Sequence, residues 1–300
     1  MEPGSGVTPV GYRSDRSARE DHPTAQWIDI GVNLTHSRFD PDRDAVIARA
    51  QASQVVHLIS TACNAAGTQD GYALMERYPG LISVTAGVHP HEASRTQSPD
   101  WEIIKEYANK PGVVAIGECG LDYFRHFSNF SDQRAVFEKQ LMLAIETGKP
   151  LFLHERNAHD DLIAMLRECG KNRPKGVLHC FTGSRAELDQ YLDLGLWIGL
   201  TGWIADERRG THLLTLLGAI PLDRLMLETD APYLLPRTLT PRPRNGRNEP
   251  AFLPHIGSLI AYHIDRNPEE LSQIVYSNTL SFFNLHSMDM LPDPERHLER

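Results

Sequence analysis

Eight short apolar runs, rich in β-branched residues and interleaved with amphipathic stretches, constrain this chain more than any other feature. They begin near Trp27 (WIDIGV), Val55 (VVHLIST), Ile82 (ISVTAG), Val113 (VVAIGE), Pro150 (PLFLHE), Gly176 (GVLHCF), Leu196 (LWIGLT) and Leu225 (LMLETD). Runs this short and this apolar read as strands covered on both faces, as in a parallel sheet. The stretches between them have helical period. From Asp132 to Gly148, residues Val136, Leu141, Leu143, Ala144 and Ile145 share a face, and the glycine supplies a stop. From Asp40 to Ala52, residues Arg43, Asp44 and Arg49 mark a wet side. Two further helices, about Leu253–Asp265 and Pro268–Phe283, follow the last strand. Strand–helix alternation implies a parallel sheet. Eight repeats predict an α/β fold closed into a (β/α)8 TIM barrel. The alternative is an open doubly wound sheet, but no GxGxxG follows the first strand.

A barrel of this type carries its active site at the carboxyl ends of its strands. Those ends hold Asn33 after the first strand, His89 and His91 after the third, and Glu118 in the fourth. His154 follows in the fifth, His179 in the sixth, and Glu228 with Asp230 in the eighth. A single histidine at a strand end is ordinarily a hydrogen-bonded core residue. Several at one end of the barrel, with carboxylates beside them, point instead to a divalent cation such as Mg²⁺, Mn²⁺ or Zn²⁺. Such an ion acidifies water and so supports hydrolysis near neutral pH. The residues alone therefore imply metal-assisted hydrolysis in a barrel.

Several longer motifs are also present: GVHPH (87–91), AIGECGLDY (115–123), HER (154–156), LHCFTG (178–183), ETDAPYLLP (228–236) and RNEPAFLPHI (247–256). In this order they resemble the TatD family of metal-dependent deoxyribonucleases, over about residues 27–285. Many members open with D-x-H-x-H. Here the aligned stretch is Asp29-Ile30-Gly31-Val32-Asn33, without either histidine. This opening, with TGW (201–203) and DERRG (206–210), is similar to the TatD branch proper. That resemblance implies a Mg²⁺-dependent 3′→5′ exonuclease acting on DNA, with single-stranded 3′ ends favoured, and a role in DNA repair or degradation.

The missing histidines remove part of one metal position. One well-held ion is expected on Glu118, His154 and His179, and a weaker second ion shared by Glu118 and Asp230. Asp230 is the expected general base. His89 is either a phosphate contact or a proton donor to the leaving oxygen. Asp122 and Glu228 are expected to orient neighbouring groups, and Asn33 is either a structural amide or a weak water-mediated contact. Arg156, Arg247 and Arg208 are candidate phosphate ligands on the loops around the site. Trp203, with Tyr123, Phe124 and Phe127, is a candidate stacking surface for bases. An amidohydrolase or lactonase acting on small molecules is the competing reading on the same barrel.

Charge and composition bear on partners and compartment. Lys and Arg number 30 against 39 Asp and Glu, a formal charge of −9, which excludes a binder held to nucleic acid by bulk charge alone. The four cysteines are widely spaced and form no CxxC pair, which fits a reducing cytoplasm. No run approaches the length of a membrane span. Residues 1–26 and 286–300 read as tails flanking a single catalytic domain at 27–285. No protein partner is implied.

Overall fold

The computed structural model describes residues 25–285, so the expected tails, apart from Ala25 and Gln26, lie outside the described residues. All eight apolar runs form strands: β1 (Trp27–Val32), β2 (Val55–Ser60), β3 (Ile82–Ala86), β4 (Val113–Asp122), β5 (Leu151–Arg156), β6 (Gly176–Leu178), β7 (Trp197–Leu200) and β8 (Leu225–Leu227). They pair in parallel, in sequence order, within one sheet. The seam between its ends is drawn together just past β8, where the Asp230 N–H donates to Gly31 O and the Asn33 N–H to Ala231 O, each at 2.8 Å. The architecture is a (β/α)8 barrel.

Two apolar layers follow from the alternation of side chains along each strand. Ile28, Ile30, Ile59, Ala115, Phe152, Val177 and Met226 fill the barrel interior, and Phe282 and Phe283 pack below them. The opposite strand faces meet the helices in a larger shell that includes Leu58, Val84, Ile116, Leu153, Ile198 and Leu227. The inward parity carries each strand to its tip. Phe152 is followed two residues later by His154, Val177 by His179, and Met226 by Glu228. Burial of the hydrocarbon layer therefore aims these polar groups at the barrel mouth.

The helices are α1 (Arg43–Ala52), α2 (Ala65–Arg77), α3 (Ser98–Ala108), α4 (Phe130–Thr147), α5 (His159–Glu168), α6 (Arg185–Asp193), α7 (Thr211–Leu216), α8 (Leu253–His263) and α9 (Pro268–Phe283). Gly148 ends α4 in the left-handed conformation. The expected apolar face of α4 needs correction. Its buried side is Gln133, Phe137, Gln140, Leu141, Leu143 and Ala144, while Val136 and Ile145 are only partly buried. The two glutamines face inward because their amides bond to the strand tips. Gln140 accepts from the Val88 N–H at 2.8 Å and donates to Val88 O at 3.0 Å. Gln133 accepts from the Asp122 N–H and donates to Asp122 O, at 2.8 and 2.9 Å. Among the described residues no helix is long and apolar enough to cross a membrane.

Candidate active site

The fourth strand sets the geometry of the mouth. Gly117 pairs with Phe152 and Cys119 with Leu153, so Glu118 is an extra residue in the β4–β5 ladder. Such a bulge re-aims a side chain. Gly117 has φ +153°, and a Cβ there would meet Phe152 O at 2.5 Å, so the position requires glycine. The result turns Glu118 toward the barrel axis.

Three candidate ligands converge there. Glu118 Oε1 lies 2.7 Å from His179 Nε2 and 2.9 Å from His154 Nδ1. The two ring nitrogens are themselves 3.2 Å apart. All three side chains are largely enclosed. Burial disfavours the charge on Glu118, but His179 and His89 outweigh it and hold the carboxyl well below the usual carboxylate range. Burial likewise opposes protonation of His154 and His179, yet the carboxylates around them raise both. The pocket thus holds negative potential, and two imidazoles share one carboxylate oxygen. A divalent cation on one carboxylate oxygen and two imidazole nitrogens fits this donor set. His89, His91 and His154 form a second convergent group that shares His154.

Neighbouring residues fix the orientation of these groups. Asp122 Oδ2 faces His91 Nε2 at 2.6 Å and His154 Nε2 at 3.4 Å, and its Oδ1 accepts from the Phe124 and Arg125 N–H groups. Glu228 is fully buried under His179, with Oε2 at 3.5 Å from Nδ1 and Oε1 accepting from the Cys180 N–H. A Cβ on Gly31 would approach that carboxylate to 2.2 Å, so the missing side chain in β1 makes room for Glu228. His89 Nδ1 accepts from the His91 N–H at 3.1 Å, which leaves Nε2 as the protonated nitrogen of the neutral ring. That nitrogen lies 3.3 Å from Glu118 Oε1. Burial lowers the pKa of His89 to about 4.

Asp230 stands at the end of the seam. Asn33 donates to its Oδ1 at 3.0 Å, and Thr61 donates in turn to Asn33. Burial pushes the Asp230 carboxyl up to about 7, His179 opposing this and Glu118 adding to it. Cys63 and Cys180 line the same cavity, but burial raises both thiols, Cys180 to about 12. Neither is an activated nucleophile.

The cavity above this cluster measures about 580 Å³ and is lined by Asn33, His89, Glu118, Arg156, Trp203 and Asp230, among others. A larger one, about 650 Å³, lies at the opposite end of the barrel around Lys149, Lys175 and Phe282. It is away from every strand tip, so the smaller cavity is the one with the chemistry.

The arginines divide sharply. Arg247 is buried and does not face the cavity. It binds Asp42 at 2.7 and 2.8 Å, Glu249 at 2.7 Å and Arg38 O at 2.7 Å, which overturns the expectation of a phosphate ligand. Its charge is neutralised by α1 and by its own loop. Arg208 also differs from expectation, being held by Asp206 at 3.4 Å. Arg156 is the opposite case. It has no ion pair among the described residues, and its guanidinium lies 5.1 Å from the ring centres of both Phe124 and Trp203. Tyr123 is not a free stacking surface, because it stacks on Phe130 and donates to Asp161 at 2.6 Å.

Comparison with known proteins gives one consistent family. The TatD related DNase family model matches residues 28–284. The chain is 50% identical over 258 residues to a protein of Klebsiella pneumoniae (strain 342) named 3′-5′ ssDNA/RNA exonuclease TatD, covering 86% of this chain and 98% of that protein. A protein of the same name from Salmonella typhimurium is 47% identical, covering 86% and 99%. Among solved structures, the TatD homologue YJJV of Escherichia coli K12 aligns at TM-score 0.80 with 28% identity, covering 87% of this chain and 99% of that one. A TatD family hydrolase from Entamoeba histolytica aligns at TM-score 0.78 with 29% identity, covering 86% and 97%.

Proposed function

The chain belongs to the TatD related DNase family, and from that premise we propose that it is a divalent-metal-dependent 3′→5′ exonuclease for single-stranded DNA, with RNA as a further substrate. The observation that carries the reading is the convergence of Glu118, His154 and His179 beside Arg156, which has no ion pair among the described residues. A small-molecule amidohydrolase has less need of an uncompensated guanidinium at the mouth.

Glu118, His154 and His179 hold the better-bound cation in this reading, and Asp230 contributes to a weaker position. Bound there, a divalent cation supplies charge that polarises a phosphodiester and acidifies water. Mg²⁺ suits an oxygen-rich substrate, with Mn²⁺ and Zn²⁺ as the competing ions. Asp230, steadied by Asn33, takes the proton from the attacking water. His89 presents Nε2–H to a phosphoryl oxygen. Arg156 binds the adjoining phosphate through N–H groups that no carboxylate occupies, and Trp203 fixes the plane of that guanidinium. Asp122 and Glu228 orient the histidines from behind. The four free cysteines fit the cytoplasm, and trimming of 3′ ends fits DNA repair or degradation.

The test uses single strands labelled at either end. With Mg²⁺, a 3′ label is expected to leave at once as mononucleotide, while a 5′-labelled strand shortens one nucleotide at a time. Glu118→Ala abolishes both. No release with Mg²⁺, Mn²⁺ or Zn²⁺ would refute the reading, and internal cuts would make the enzyme an endonuclease.

A further inference from the structure

Arg156 is the middle of a longer array. Arg125 lies over the Phe124 ring at 5.7 Å, Arg156 lies over Phe124 and Trp203 at 5.1 Å each, and Arg209 lies over Trp203 at 4.4 Å. Cation and ring alternate through five side chains from the loop after β4, across the tip of β5, to the loop after β7. Arg125, Arg156 and Trp203 of this array line the cavity. Phe124 and Phe127 are 50% and 60% exposed, unusual for rings of this size. Phe127 sits edge-on to His91 at 4.8 Å, at the inner end of the same rim.

This arrangement has a chemical consequence. Stacking fixes the plane of a guanidinium while leaving its N–H edge free, so the rings aim the cations without neutralising them. Arg125 and Arg156 have no acidic partner among the described residues, whereas Arg209 is balanced by Asp206 at 3.0 Å. Arg208, Arg237 and Arg247 are paired with carboxylates. Arg125 and Arg156 thus present unneutralised positive charge on this arc of an acidic molecule.

We propose that this arc is a track for the non-terminal nucleotides of a single strand: Arg156 and Arg125 take successive backbone phosphates, and the exposed face of Phe127 takes a base. The proposal rests on the nuclease reading for the position of the strand's end, and extends the site beyond the terminal phosphodiester. It makes affinity depend on strand length.

The experiment measures binding by fluorescence anisotropy in Mg²⁺, with phosphorothioate oligothymidylates two and twelve nucleotides long. The wild type is expected to prefer the longer strand. In the F124A/R125A double variant that preference falls about tenfold, and the slope of log Kd against log salt for the longer strand drops by about 0.7 for the one arginine removed. Both side chains are exposed, and a melting curve checks the fold. In the wild type, Trp203 emission should respond to the twelve-nucleotide strand and not to the dinucleotide. An unchanged length preference, or an equal loss for both strands, overturns the track. Cleavage is scored separately. If the wild type cuts no strand but keeps its length preference, the nuclease reading fails and the track stands; cleavage without length preference removes the track alone.

Discussion

Gly31 and Glu228 show how one missing side chain shapes the site. Glu228 fits beneath His179 only because β1 has no Cβ opposite it. Gly31→Ala is expected to cost about 2 kcal/mol, in the range for overpacking a filled interior, and to displace Glu228 from His179. Glu228→Gln keeps the volume and should weaken metal affinity by about 10–100-fold, the usual effect of losing a carboxylate behind a ligating histidine. Metal titration followed by calorimetry separates the two. Unchanged metal affinity in Glu228→Gln would mean that the carboxylate only fills space. Asn33 makes a related point. Its amide holds Asp230, a role that spacing alone left open between structure and a water-mediated contact.

At the scale of elements, α1 and the loop before α8 are locked by Arg247, Asp42, Glu249 and Arg49. Hydrogen bonds from Arg247 lead in pulling the Asp42 carboxyl from 3.8 down to about 2. A depressed carboxylate adds stability that is complete above about pH 4 and lost as pH falls through 2. Arg247→Ala should therefore lower Tm at pH 6, by the equivalent of about 3 kcal/mol for breaking a buried pair. The gap to wild type should narrow between pH 4 and 2; a constant gap would remove the pair from the explanation. Helix α4 acts by a different route. Gln140→Leu leaves the Val88 N–H and C=O unsatisfied, at about 1–3 kcal/mol per group, and should loosen the turn bearing His89. Hydrogen exchange at Val88 measures this directly. Neither feature was legible in the sequence. Arg247 and Asp42 are some two hundred residues apart, so the run of arginines after β8 looked like an open phosphate loop. A buried glutamine has the same polar signature as one facing water, so the face of α4 was read from its aliphatics. The strands were legible because each is a continuous apolar run, and the strand tips because parity carries buried residues into polar ones.

For the whole molecule, the net charge of −9 and the small cationic arc belong together. Long-range attraction of nucleic acid is weak, so in the proposed reading capture depends on a cation at Glu118, His154 and His179 and on the rim. Metal binding should also stabilise the fold, by about 2.7 kcal/mol when free metal is a hundredfold above Kd. EDTA is expected to lower the wild-type Tm by several degrees and leave Glu118→Ala unmoved. An equal drop in both proteins would place the stabilising ion elsewhere.

The seam gives the order in which the molecule becomes itself. Gly31 and Asn33 stand among the first strand residues, and their partners Asp230 and Ala231 follow the last strand. A ribosome delivers about 5–20 residues each second. More than a hundred residues separate Glu118 from Asp230 and more than fifty separate His179 from it, so Glu118 and the histidines emerge seconds before the proposed base exists. In the proposed reading, the hydrogen bonds that shut the ring also place the base, so closure of the barrel and completion of the catalyst coincide.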